Sequence, residues 1–330
     1  MESLFRAGAI PELHRGRFTR EDGRFRPVML FCETTNICPN ACIVCAYPRM
    51  TRPKGVMSPD LFERVVTDYA AMGGGDVSLT PVVGDVFHDP HLGERVARLR
   101  REPAIGKIGF TTNAVRADTL GDAGLRALLR GLDRIYLSVY GLDAEENRIL
   151  TGRRHFDRAR DNVKRIVDLV DDVSKIGVGF RLLRRGSEEA LRHWLRETCG
   201  VVLPFGVVTE FANWGVLDTA VPLPLDATCV PERPVTLPCL LPVVACQVHV
   251  DGNVSFCPCD DFDASPELSL GRIGQDTLSA LCNGPAAARL WAAGAEDTPG
   301  HCRRCTFHRP LPDPDCLRAL LNNPFDLIGG

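Results

Sequence analysis

The chain has 330 residues, 45% of them hydrophobic, a formal charge of −3 and 14 cysteines. A length of this order holds one large domain of about 200 residues plus a smaller appendage. The near-neutral charge argues against nucleic acid as a partner, because phosphate binding asks for a basic stripe. No run approaches the ~18 uninterrupted apolar residues of a membrane span, so no membrane association is expected. The cysteines are too dilute for a disulfide scaffold, and the charged residues 1–20 lack the apolar core of a secretory signal. A cytoplasmic location with reduced, metal-competent thiols is expected.

The first apolar strand covers 27–32 and runs through Glu33-Thr34-Thr35-Asn36 into a C-x3-C-x2-C loop formed by Cys38, Cys42 and Cys45. Three thiolates are one fewer than the irons of a cubane cluster, so the loop can hold a [4Fe–4S] cluster with one iron open to an outside ligand. A structural zinc site wants four closed ligands, and the nearest histidines are the distant His14 and His88. With its strand and spacing, the loop resembles the signature of radical S-adenosylmethionine (SAM) enzymes. The resemblance implies that SAM chelates the open iron through its amino and carboxylate groups. Reductive cleavage then gives methionine and a 5′-deoxyadenosyl radical, with Val44 packing beside the adenine.

Further along, strand-like runs at 76–82, 107–112, 134–139, 177–183 and 207–211 alternate with helical periodicity at 59–71, 92–101, 120–129, 156–170 and 187–197. Six strand–helix repeats with right-handed crossovers predict an α/β fold, a partial (β/α)6 barrel over 27–215 that follows a short N-terminal extension, 1–26. The family resemblance implies the same fold. Ligands of such sheets sit at the C-terminal strand ends, where the cysteine loop lies. Val83-Gly84-Asp85 ends the second strand and is similar to the family's Gly-Gly-Glu segment, which binds the SAM amino group; a plain turn is the bland alternative. The resemblance also implies SAM contacts from Asn113, Ser138 and Arg181 at the third, fourth and fifth strands. Asn113 and Ser138 read equally well as satisfied turn or strand polars. Arg181 stands out, since a charge inside an apolar strand is costly unless paired, whereas Arg184 and Arg185 read as solvent-facing.

Beyond residue 215 proline becomes frequent and helical periodicity fades, which predicts a linker at 216–240, a cysteine-rich domain at 241–316 and a tail at 317–330. Cys246 to Cys257 reads as a hairpin around Asp251-Gly252. The hairpin cysteines and the later C-x2-C pair, Cys302 and Cys305, make a four-thiolate set that suits zinc or iron–sulfur equally by count. Here the interval Gly-x4-Cys followed by C-x2-C resembles the twitch domain, a shortened SPASM domain, and implies one auxiliary [4Fe–4S] cluster. A full SPASM domain with two clusters needs more late cysteines than Cys316. Leu270-Gly271-Arg272-Ile273-Gly274 resembles a turn of that domain, with Arg272 as a departure. Cys259 is left over beside Cys257 and reads either as an inert packing thiol or as a hydrogen-atom donor, Cys239 and Cys282 being weaker donor candidates; Cys32, Cys199 and Cys229 read as packing residues.

The resemblance extends to family members that act on aminocyclitols and aminoglycosides by dehydrogenation or epimerisation. The spare thiol favours epimerisation of a carbinol carbon in a small, polar, sugar-like substrate. Asp260, Asp261 and Asp263 suit a cationic amino sugar or form an exposed acidic turn. A flavodoxin or ferredoxin is the expected electron donor. The alternatives are a dehydrogenase, a decarboxylase of a sugar acid or nucleoside, an enzyme modifying ribosomal peptides, and a zinc-stapled binding protein without radical chemistry. Against peptide work, the segment before Pro27 is too short for a separate leader-binding domain.

Overall fold

Apolar strands separated by amphipathic helices assemble into one sheet, in whose interior runs the strand that feeds the cysteine loop. The computed structural model describes residues 10–218, 223–232, 235, 239–293, 297–311 and 313–322. Parts of the expected linker and tail, and the start of the N-terminal extension, lie outside the described residues. Strands β1 (Met29–Cys32), β2 (Gly75–Ser78), β3 (Ile105–Thr112), β4 (Arg134–Tyr140), β5 (Ile176–Arg181) and β6 (Phe205–Val208) pair in chain order, all parallel. Helices α1 (Pro59–Ala71), α2 (Leu92–Arg100), α3 (Asp122–Arg130), α4 (Ala144–Thr151), α5 (Phe156–Leu169) and α6 (Glu188–Cys199) fill the crossovers. This is the expected partial (β/α)6 barrel.

The helices follow from their caps and stripes. In α1, Ser58 accepts from Leu61 N, Pro59 opens the helix, and Phe62, Val65, Val66 and Tyr69 bury one face. β1 is buried along its whole length, whereas β6 at the sheet edge leaves Gly206 and Val207 exposed. Most element ends shift by one or two residues from the sequence reading, and two strands differ more. The second strand ends at Ser78, before Pro81 and the left-handed Gly84 turn the chain. The sixth splits into β6 and a short β7 (Glu210–Phe211), which pairs with β8 (Thr228–Cys229).

The C-terminal part does not stand apart from the barrel. Its hairpin, β9 (Ala245–Val248) and β10 (Asn253–Ser255), turns at Gly252 (φ 87°), and β9 pairs parallel with β1. β10 pairs in turn with β11 (Ser269–Arg272), giving nine strands in a continuous sheet. No helix among the described residues is long and apolar enough to cross a membrane.

Candidate active site

The cysteine loop leaves β1 through Glu33, Thr34, Thr35 and Asn36, all fully buried. Asn36 fixes the return of the loop: its Oδ1 accepts from Gly55 N (2.7 Å) and its Nδ2 donates to Pro53 O (2.9 Å). The far side is held by α4, which the sequence reading missed. The last turn of α4 offers Thr151 O to Ala41 N (2.8 Å) and Leu150 O to Ile43 N (2.9 Å), so orphan carbonyls of a helix end carry the loop between Cys38 and Cys45. The signal for α4 was present in the chain. Asp143 caps it by accepting from Glu145 N and Glu146 N, and Gly152 closes it in the left-handed region.

Cys38, Cys42 and Cys45 come together in the mouth of the barrel. Tyr47 N donates to Cys45 Sγ (3.4 Å) and Asn113 Nδ2 to Cys38 Sγ (3.6 Å), so two of the three sulfurs already receive donors. Burial pushes the Cys38 thiol up, and the charges of Asp85 and Cys42 add to it; Cys42 is raised by burial and by Cys45. Three neighbouring thiols, Cys42 buried and Cys38 and Cys45 half-buried, fit a cluster that supplies the positive charge their ionised forms need. Asn40 Oδ1 and Thr111 Oγ1 are buried at the barrel mouth without a protein partner, as acceptors facing a bound ligand would be.

The expected SAM contacts fall into three groups. Val44 is buried with Cys42, Leu150, Leu183 and Phe211, and its carbonyl accepts from Trp214 Nε1 (3.1 Å). Gly84 lies at φ 145°, against the backbone of Asn36, where a Cβ would stand 3.1 Å from Asn36 Cα. Asp85 is spent on the protein: Oδ2 accepts from Thr112 Oγ1 and Asn113 N (both 2.8 Å), and Oδ1 from Phe87 N (3.1 Å). Burial pushes its carboxyl up to about 6 against these donors. Asp85 therefore braces the end of β3 beside Cys38. Ser138 Oγ accepts from Arg181 Nη1 (2.9 Å), and the guanidinium lies 5.6 Å from the Tyr140 ring centroid, beside Cys42 and Cys45. Among the described residues no carboxylate pairs with Arg181, so its charge is available to an anion in the barrel mouth.

The C-terminal thiols assemble differently from the expected set. The pairs Val248 with Val254 and Gln247 with Ser255 set the hairpin register, so Cys246 lies opposite Phe256 and Cys257 has the other parity. Cys246 accordingly faces the helix layer, where its thiol meets Cys282 and Cys32, and it does not join Cys257. Its place is taken by Cys239. Leu240 N donates to Arg309 O (2.8 Å) and Cys239 bridges to Pro310, which brings Cys239 against the C-x2-C segment. Burial raises Cys302, with Cys239 the next contributor, and raises Cys257 with Cys259 and Cys305. Cys259 is raised by burial and then by Cys239 and Asp260. The thiols brought together are thus Cys239, Cys257, Cys259, Cys302 and Cys305. The missed signal was the spacing of Cys239 ahead of Gly252-x4-Cys257. Among the described residues no three His, Cys, Asp or Glu side chains converge on one ion-sized point; a cubane takes its thiolates at separate corners and asks for a wider spread.

The acidic turn is also corrected. Asp260 and Asp261 are 1% exposed. His301 Nε2 lies 3.1 Å from Asp260, and Asp261 accepts from Ser255 Oγ (2.6 Å) and Ser265 N (2.7 Å). Asp263 accepts from Thr51 Oγ1 (2.6 Å), Thr51 N (2.7 Å) and Arg52 N (3.0 Å). These carboxylates pin the two cysteine segments together and do not form a cation-binding face. Phe262 packs on Ala46, Tyr47 and Val83, and Asn213 receives Thr306 Oγ1 (3.1 Å) while its Nδ2 donates to Arg304 O (2.8 Å).

A model described as the radical SAM superfamily matches residues 32–192, and one described as an iron–sulfur cluster-binding domain, SPASM, matches 239–306. The chain joins a radical SAM domain to a SPASM domain. Its cofactors are a SAM-binding [4Fe–4S] cluster and auxiliary iron–sulfur. The residues fit: the C-x3-C-x2-C loop for the first, the C-terminal thiols for the second. A GTP 3′,8-cyclase of Klebsiella pneumoniae is 31% identical over 137 residues, 39% of each chain, so this chain spans well under half of that relative. In fold it is similar to BtrN solved with AdoMet and 2-DOIA, at 16% identity and a TM-score of 0.57, covering 86% of this chain and 94% of that one. Streptococcus suis SuiB bound to its precursor peptide SuiA is similar at 14% and 0.61, covering 88% and 72%.

Proposed function

We propose that this radical SAM protein removes a hydrogen atom from a carbinol carbon of a small, polar, sugar-like molecule and epimerises that carbon. When bound, the cluster and SAM supply the 5′-deoxyadenosyl radical that takes the hydrogen. Cys38, Cys42 and Cys45 hold the cluster; Val44, Gly84, Asn113, Ser138 and Arg181 line the SAM site, and Asp85 orders it. Arg181, which has no carboxylate partner among the described residues, would meet the SAM carboxylate. Cys239, Cys257, Cys302 and Cys305 hold one auxiliary [4Fe–4S] cluster. Cys259 then gives its thiol hydrogen to the substrate carbon. The resulting sulfur radical regains one electron and one proton, the electron from a flavodoxin- or ferredoxin-type donor.

The observation that carries this reading is the fifth thiol: Cys259 stands half-buried beside the four proposed cluster ligands, on the turn whose Phe262 packs against the SAM-cluster loop. Dehydrogenation is the second reading, favoured by the contacts of Arg52 and of Asn213-Trp214, which tie the two cysteine segments together. The test is turnover of neutral sugars, aminocyclitols and sugar acids in deuterated solvent. Deuterium at the inverted carbon, lost in Cys259→Ala, supports epimerisation. A ketone or a decarboxylated product without deuterium incorporation at carbon sinks it.

A further inference from the structure

Between the two cysteine sites lies a buried ionic network that the reaction does not use. Glu33, just ahead of the SAM-cluster loop, is fully buried and forms a bidentate pair with Arg52 (2.5 and 2.6 Å). Its Oε1 also accepts from Val250 N (3.1 Å). His249, at the hairpin tip, is fully buried too. Its Nδ1 lies 3.7 Å from Glu33 Oε1 and its Nε2 3.8 Å from Asp261 Oδ2. Both distances exceed a hydrogen bond, and neither ring nitrogen has another partner among the described residues. Two carboxylates face the two nitrogens, and a neutral imidazole carries a proton on only one of them. Glu33, Asp261 and Arg52 alone leave one uncompensated negative charge in the interior; an imidazolium closes the balance.

We infer that His249 is a positioning residue, held as an imidazolium between Glu33 and Asp261, that sets the SAM-cluster loop against the auxiliary-cluster turn. Its two nitrogens face both segments at once: Glu33 leads into the loop of Cys38, and Asp261 belongs to the turn of Cys257 and Cys259. The titratable shifts agree with the geometry. Burial pushes His249 down, but Asp261 and Glu33 outweigh it and raise it, while both carboxyls are lowered despite burial. Glu33, Asp261 and the opposing cation Arg52 are the charged groups that act most strongly on the ring.

This inference rests on the reading that both thiol sets hold clusters, and the experiment separates the two. The anaerobically reconstituted full chain and His249→Gln are compared for iron content, for the magnetic interaction between the two reduced clusters, and for thermal stability across pH. A raised histidine contributes stability that is fully present below its unfolded value of about 6.5 and is lost as pH rises through the folded value. The stability gap between wild type and variant is therefore largest at acidic pH and shrinks as pH rises. Iron content stays unchanged and the intercluster interaction shifts. A gap independent of pH, or an unaltered interaction, overturns the inference. Iron below two clusters in the wild type overturns the cluster reading instead, and the pH dependence still judges His249. If His249→Gln does not fold, Asp261→Asn replaces it: the loss of one flanking carboxylate brings the alkaline decline to lower pH.

Discussion

Cys239 and Cys246 carry the clearest contrast between residues of one type. Cys239 stands beside the C-x2-C segment, while Cys246 is sealed between sheet and helices. Cys239→Ser is expected to lose about four of about eight irons per chain, and Cys246→Ser to keep them all, as read by iron analysis and EPR. The thiol identities were visible in the sequence; the partition was not, because alternation along β9 and β10 decides which face each cysteine takes and a count cannot show it. Glu33 gives a second residue-level test. Burial pushes its carboxyl up, yet His249 and Arg52 hold it below the ordinary range, so its stabilisation is present at neutral pH and lost as pH falls through the folded value. Glu33→Gln leaves Arg52 buried without its partner and is expected to cost about 3–5 kcal/mol near neutrality, measured by denaturant unfolding of the full chain. The acid limb of its stability curve should flatten.

At the level of elements, periodicity made most of the barrel legible. α1 matches its expected span and β4 differs by a single residue, because long apolar stripes and alternating runs leave little choice. α4 escaped because its stripe is short and polar, with Glu146 and Asn147 buried for their hydrogen bonds. The turn after β2 was seen as a ligand loop, and its glycine has a steric reason as well. Gly84→Ala would place a methyl 3.0 Å from Pro81 Cγ and 3.1 Å from the Asn36 backbone at a φ of 145°. The expected cost is about 1–3 kcal/mol, with SAM affinity falling more steeply than iron content in equilibrium dialysis.

For the whole molecule, the change in composition after residue 215 suggested a separable appendage. β9 instead lies directly against β1, so the SPASM part completes the edge of the barrel sheet. A chain ended at residue 240 would bare the edge of β1, an apolar strand with unpaired backbone groups. Such a chain is expected in the insoluble fraction, and a soluble barrel that binds iron would refute the shared-sheet architecture. Only the pairing of distant strands makes this dependence, which is why composition could not reveal it.

Trp214 has an optical consequence. Its indole donates to Val44 O in the SAM-cluster loop, and the preceding Asn213 holds Arg304 O in the C-x2-C segment. The other two tryptophans, Trp194 and Trp291, pack with Phe180 and with Phe25 and Phe256. Iron–sulfur clusters absorb where indoles emit, so Trp214 sits as a lamp between two shutters. Its emission should dim as iron is taken up, and Trp214→Phe should remove most of that quenching while leaving the final iron content unchanged. Cluster assembly in this protein can then be followed by its own fluorescence, without an added label.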